Sequence, residues 1–125
     1  MNSKRPVNLD LSKFSFPLPA ITSIVHRVTG VALFVGVAIL MWMLDLSLSG
    51  EEGFNQAKDI FQGFFARLIL WGIVSALLYH LVAGIKHLLM DLGIGETLEG
   101  GRLGAQITLV VAAILVVLAG VWIWS

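Results

Sequence analysis

The chain has 125 residues, 58% of them hydrophobic and 13% charged, with eight basic residues balancing eight acidic ones and no cysteine. A mean hydropathy of +0.92 lies far outside the range of ordinary soluble domains. Zero net charge with no basic run argues against nucleic-acid binding. The lack of cysteine excludes disulfides, thiolate ligation, iron–sulfur clusters and covalent haem attachment.

Three apolar runs have membrane-spanning length: Val28 to Leu44, Leu68 to Ile85 and Ile107 to Trp124. Each approaches the length that about 30 Å of hydrocarbon demands at about 1.5 Å per residue. Lipid offers the backbone no hydrogen-bond partners, so the runs must be helices, and the expected fold is an all-α integral membrane protein with three transmembrane helices. In chain order, Met1 to Lys13 is polar and does not read as a cleavable signal. With Pro17 and Pro19 it forms an N-terminal segment 1–19, Pro19 being suited to the first turn of a helix over about 20–48. Ser49 to Asn55, with Gly50, Glu51, Glu52 and Gly53, reads as a loop. A second helix is expected over about 56–90. Leu92 to Leu103, with Gly93, Gly95, Gly100 and Gly101, reads as another loop before a final helix over about 104–124.

Lys4, Arg5 and Lys13 precede the first helix, Lys86 and Arg102 flank the second loop, and the first loop carries mainly Glu51 and Glu52 ahead of Lys58. The positive-inside rule therefore places the N-terminus and second loop in the cytoplasm, and the C-terminus on the opposite side. Trp42, Trp71, Trp122 and Trp124 then fall toward that opposite face, where indoles favour the interface.

Ser23, His26, Arg27 and Gly30 stand at i, i+3, i+4 and i+7 of the first helix and share one face. Two readings fit this patch. Arg27 can snorkel to lipid headgroups while Ser23 bonds back to its own helix. Alternatively the permanent guanidinium fork and the hydroxyl bind an anionic or carbonyl-bearing ligand. His80, Gly84, His87 and Asp91 form a second stripe on the second helix. An ionisable residue within a span demands a partner or a function, and His80 lies within one. Gly84, one turn away, leaves room either for a flat macrocycle or for close helix packing. His87 can ligate or sit at the interface with Asp91 or a phosphate group, and Asp91 can join a proton route or pair with Lys86 or His87. His80 and the Ser23 face belong to the same half of the membrane and can meet. Iron-binding histidine, arginine near a propionate and serine beside a boundary cavity together suggest electron transfer to a lipid-soluble acceptor.

At these residues the chain resembles the cytochrome b membrane-anchor subunits of bacterial succinate dehydrogenase, the C subunits of respiratory complex II. The resemblance covers nearly the whole length. It rests on Arg5-Pro6-Val7, on Ser23-x-x-His26-Arg27-x-Thr29-Gly30, and on His80-x-x-x-Gly84-Ile85-Lys86-His87-x-x-Met90-Asp91-x-Gly93. Lys86 departs from an expected arginine, keeping the charge without the fork. The resemblance implies a single membrane-anchor domain over 1–125 in the bacterial inner membrane, forming a haem-binding bundle with a second small anchor subunit. An iron–sulfur subunit and a flavoprotein that oxidises succinate complete the complex, linking the tricarboxylic acid cycle to the respiratory chain. It further implies one haem b with His80 as an axial iron ligand and the other ligand from the second anchor. His26 and Arg27 would lie on the propionate side, His87 nearby, and Ser23 with Arg27 in the ubiquinone site.

Other readings are an anchor of a quinol:fumarate reductase, working in reverse, and a cofactor-free structural anchor whose histidines serve helix contacts. An ion-coupled transporter fits less well, since the spans hold no membrane-centred Asp or Glu and Asp45 lies near a helix end. No flavin-, dicarboxylate- or cluster-binding pattern is present, so catalysis is expected to belong to a complex.

Overall fold

A computed structural model describes residues 17–125, so Lys4, Arg5-Pro6-Val7, Lys13 and most of the expected segment 1–19 lie outside the described residues. Four helices follow in order: α1 (Leu18–Leu48), α2 (Glu51–Gln62), α3 (Phe64–Asp91) and α4 (Leu98–Trp124). α1, α3 and α4 are long and apolar enough to cross a membrane. The chain is an all-α, multi-pass membrane protein.

The single helix expected over about 56–90 is two helices. Gly63 adopts extended backbone (φ −71°, ψ 149°) between them. The Arg67 Nε donates to the Phe61 carbonyl at 3.1 Å, satisfying an orphan acceptor at the end of α2. Gly50, at φ 146°, makes the sharp link from α1, so Glu51 and Glu52 open a helix where a loop was expected. Their charges suit a helix N-terminus. The apolar residues Gly53, Phe54, Ala57, Ile60 and Phe61 make one stripe of α2, and Gly53 and Ala57 are buried.

The second loop is also shorter than its glycines suggest. α3 ends in a Schellman turn, with Ile94 N donating to Leu89 O at 2.9 Å and Gly93 N to Met90 O at 3.0 Å. α4 then starts at Leu98 rather than near 104, because the Thr97 hydroxyl caps it by accepting from Gly100 N at 2.9 Å. α1 begins slightly early, at Leu18, with Pro19 in its first turn.

α3 lies centrally and packs on both α1 and α4. The buried contacts are made largely by small residues: Gly36, Ala83, Gly101, Ala105, Ala112 and Gly120. Such residues let helix backbones approach where no hydrophobic drive separates helix from lipid. Large apolar side chains point outward instead, Phe34 at 83% and Trp122 at 77% exposure. Trp71 also packs between helices. Half-buried, it donates its indole N–H to the Val116 carbonyl of α4 at 2.9 Å, spanning the α3–α4 seam.

A methyl group on Gly120 would come within 2.9 Å of that indole, whereas one on Gly72 would meet nothing within 4 Å. Gly120→Ala is therefore expected to cost about 1–3 kcal/mol through overpacking, and Gly72→Ala close to nothing. Thermal unfolding of the two variants in detergent checks the contrast.

Candidate functional site

α1 begins, α3 ends and α4 begins on the same side of the bundle. His26 lies roughly 12 Å along α1 from Leu18 and His80 roughly 16 Å back from the end of α3, at about 1.5 Å per residue. Antiparallel packing thus brings them level. Their rings stack with centroids 4.0 Å apart and planes within 7°. His87, two turns beyond His80, approaches His26 at 5.2 Å with its ring tilted by 58°.

A glycine on each helix lies beside the facing histidine, and the one on α1 is the tighter. A methyl group on Gly30 of α1 would come within 3.1 Å of His80 Cε1, and one on Gly84 of α3 within 3.5 Å of His26 Nε2. Each helix therefore offers its bare backbone to the other's histidine. Gly84, expected to leave room for a macrocycle or for close helix packing, faces the His26 ring.

The hydrogen bonds around His80 determine which of its nitrogens carries the proton. Its Nδ1 lies 3.0 Å from the His26 carbonyl oxygen and 3.1 Å from Thr29 Oγ1. A carbonyl can only accept, and the Thr29 hydroxyl spends its proton on the same carbonyl at 2.8 Å. Nδ1 must therefore be the protonated nitrogen, shared between two acceptors. In the neutral ring this leaves the lone pair on Nε2, the state an imidazole needs to bind a metal.

Beside the rings lies a groove of about 540 Å³, lined by His26, His80, His87 and Gly84 with Leu81, Ile85 and Leu88. Imidazoles on an otherwise apolar wall suit a flat, largely apolar iron chelate. Among the described residues no three His, Asp or Glu side chains converge as a metal-ion site. The donor set fits haem.

Ser23 is half-buried and Arg27 exposed on α1, one turn apart, and both stand outside the groove. The structure thus joins His26, His80 and His87, and leaves Ser23 and Arg27 as a neighbouring surface. Asp91 is exposed, and the pairing with Lys86 expected from the sequence is replaced by a buried Lys86 bonded to Thr22. Sequence reasoning also missed the part played by Thr29. Its signal was a hydroxyl one turn after His26.

Fold and site define a membrane-spanning helical subunit with a histidine cluster between two of its spans. The chain belongs to the succinate dehydrogenase/fumarate reductase transmembrane subunit family, whose model matches residues 1–119. It is 46% identical over 125 residues to the succinate dehydrogenase cytochrome b556 subunit of Coxiella burnetii, covering 99% of this chain and 100% of that one. It is 35% identical over 114 residues to the succinate dehydrogenase cytochrome b556 subunit of Paracoccus denitrificans, covering 91% of this chain and 88% of the relative. The mitochondrial cytochrome b560 subunit of Sus scrofa is 37% identical over 101 residues, 78% of this chain and 59% of its own.

In ¹⁵N-histidine-labelled protein, His80 is expected to resonate as the neutral tautomer with Nδ1 protonated. Thr29→Val should keep that tautomer, through the remaining carbonyl, at a stability cost of about 0.5–1.5 kcal/mol. An unprotonated Nδ1 in the wild type would contradict the hydrogen-bond assignment.

Proposed function

We propose that this chain is the membrane-anchor subunit of a succinate:ubiquinone oxidoreductase, holding one haem b through His80 and helping to form the ubiquinone site with Ser23 and Arg27. The observation that carries the reading is the Nδ1–H of His80 on the His26 carbonyl. In the neutral ring it leaves the lone pair on Nε2, and His80 lines an apolar-walled groove. The family supports the complex, and the cytochrome names of the relatives support the haem.

Bound haem supplies a one-electron carrier within the bilayer. His80 would hold the iron, its ring fixed by the His26 carbonyl and Thr29, since outer partners of this kind orient a ligating imidazole and raise its basicity. His26 and Arg27 would meet the propionates, with His87 at the groove edge. At the quinone, negative charge grows on the carbonyl oxygens as electrons arrive. Arg27 would stabilise that charge as a preorganised cation, and Ser23 would donate to one carbonyl and set its orientation. Both residues belong to the first turns of α1, at the end of the span. A ring delivered from the lipid could therefore reach them while staying close to the polar boundary.

The rest of the machinery belongs to partners. A second small anchor subunit would supply the other haem ligand, and an iron–sulfur subunit would deliver electrons taken from succinate by a flavoprotein. The exposed apolar side chains of α1, α3 and α4 offer surface for the second anchor and for lipid. The complex would sit in the bacterial inner membrane with the N-terminus cytoplasmic, an orientation the lysine and arginine distribution supports.

The test is a reduced-minus-oxidised spectrum of the detergent-purified complex in wild type and His80→Ala, with quinone reduction recorded on the same samples. Loss or disturbance of a b-type band in assembled His80→Ala is expected. An unchanged low-spin spectrum would remove His80 from ligation, and a wild type without any haem band would leave a cofactor-free anchor. Arg27→Ala should lower kcat/KM for ubiquinone about 10–100-fold, or about 1.4–2.8 kcal/mol, while succinate oxidation by a soluble acceptor is retained.

A further inference from the structure

Lys86 is buried in a membrane span, and the haem reading gives it no role. Its stem lies against α4, where a methyl group on Gly104 would come within 3.5 Å of Lys86 Cε. Its head reaches the opposite way, to α1, and Nζ donates to Thr22 Oγ1 at 3.4 Å. The Thr22 hydroxyl passes its own proton to the Pro19 carbonyl at 2.9 Å. Two turns back on the same face of α3, the Tyr79 hydroxyl donates to the Thr22 carbonyl at 2.7 Å. Thr22, at 1% exposure, is thus held at both its side chain and its main chain.

Thr22 directly precedes Ser23 and lies one turn ahead of His26. We propose that Tyr79 and Lys86 form a latch on Thr22 that sets the rotation and height of the first turns of α1, and so positions the Ser23–Arg27 face for quinone. The inference rests on the reading of that face as a quinone site. Tyr79 and Lys86 are positioning residues, acting through Thr22 and touching neither substrate nor haem.

The physical reasons are three. A helix carbonyl has a second lone pair, so Tyr79 can grip α1 without breaking its ladder. A long amine braced by α4 carries the position of the third span to the first, tying all three together at this end. Lastly, a ligand site tolerates little displacement, and an error of about 1 Å can cost about 100-fold in rate. His80 is held by a separate contact deeper in the bundle, to the His26 carbonyl. Haem binding and quinone affinity should therefore respond differently to loss of the latch.

The experiment uses the purified complex carrying Lys86→Met, Lys86→Arg, Tyr79→Phe or Ser23→Ala. Ubiquinone KM and kcat are measured beside the haem spectrum and the rate with a soluble acceptor. Lys86→Met and Tyr79→Phe are expected to raise KM about tenfold, or about 1.4 kcal/mol, with the spectrum and soluble-acceptor rate kept. Lys86→Arg, which restores a long donor, should return KM to within about twofold of wild type. In a Ser23→Ala background the added effect of Lys86→Met on KM should shrink, because the latch acts through that face. A raised KM in Ser23→Ala with an unchanged KM in Lys86→Met and Tyr79→Phe overturns the latch alone. Unchanged KM in Ser23→Ala overturns the quinone reading of the face, and the latch with it. Arginine as damaging as methionine also overturns the latch. Should Lys86→Met fail to assemble, Tyr79→Phe, which removes one oxygen atom, decides the matter.

Discussion

Main-chain carbonyls on the flanking helices accept the polar side chains of α3, and the rest of the structure depends on this. Tyr79 donates to Thr22, His80 to His26 and Trp71 to Val116. In hydrocarbon an unpartnered donor costs several kcal/mol, roughly the desolvation of the group. Helical carbonyls are the one acceptor always available there, because each keeps a lone pair after its ladder bond. Among the described residues no buried side-chain nitrogen or oxygen lacks a partner. The bonds also have direction, so they define how α3 is rotated against α1 and α4 in a way that apolar contact with lipid-like neighbours could not.

Small residues make these bonds reachable. Gly30, Gly36 and Gly120 each lie where even a methyl group would press on a side chain of the facing helix, and Gly84 faces the His26 ring. Close approach and carbonyl bonding are therefore one arrangement: glycine lets the helices near each other, and the donors of α3 then find backbone within range. The histidine cluster follows directly. His26 and His80 stack where the two helices come close, and the carbonyl of His26 accepts the Nδ1–H of His80.

The same economy leaves most of the bundle's surface unfinished. Phe34 and its neighbours on α1 are largely exposed, and the histidine groove opens on one side of the α1–α3 seam. The described residues alone do not enclose the histidine groove. The proposed division of labour answers that: one axial ligand and one wall of each site come from here, the remainder from partners in the complex. Electrostatic chemistry at the quinone would then depend on how accurately the first turns of α1 are held, which makes the Thr22 contacts a matter of function as well as packing.

Much was legible in one dimension. Hydropathy marks three spans, because about 30 Å of hydrocarbon sets a minimum length that few soluble elements reach. The spacing of four, three and four along His80, Gly84, His87 and Asp91, like that of Ser23, His26 and Arg27, declares shared helix faces, because the helical period is local. The break at Gly63, the helical start at Glu51 and the early start of α4 were hidden, since glycines and paired acids signal loop and cap alike. What Lys86 bonds, why Trp71 is packed and which acceptor holds His80 were decided by the tertiary structure alone. Those contacts join residues 45 to 64 positions apart, and they exist only after the glycine-lined faces have set the rotation of one helix against the next.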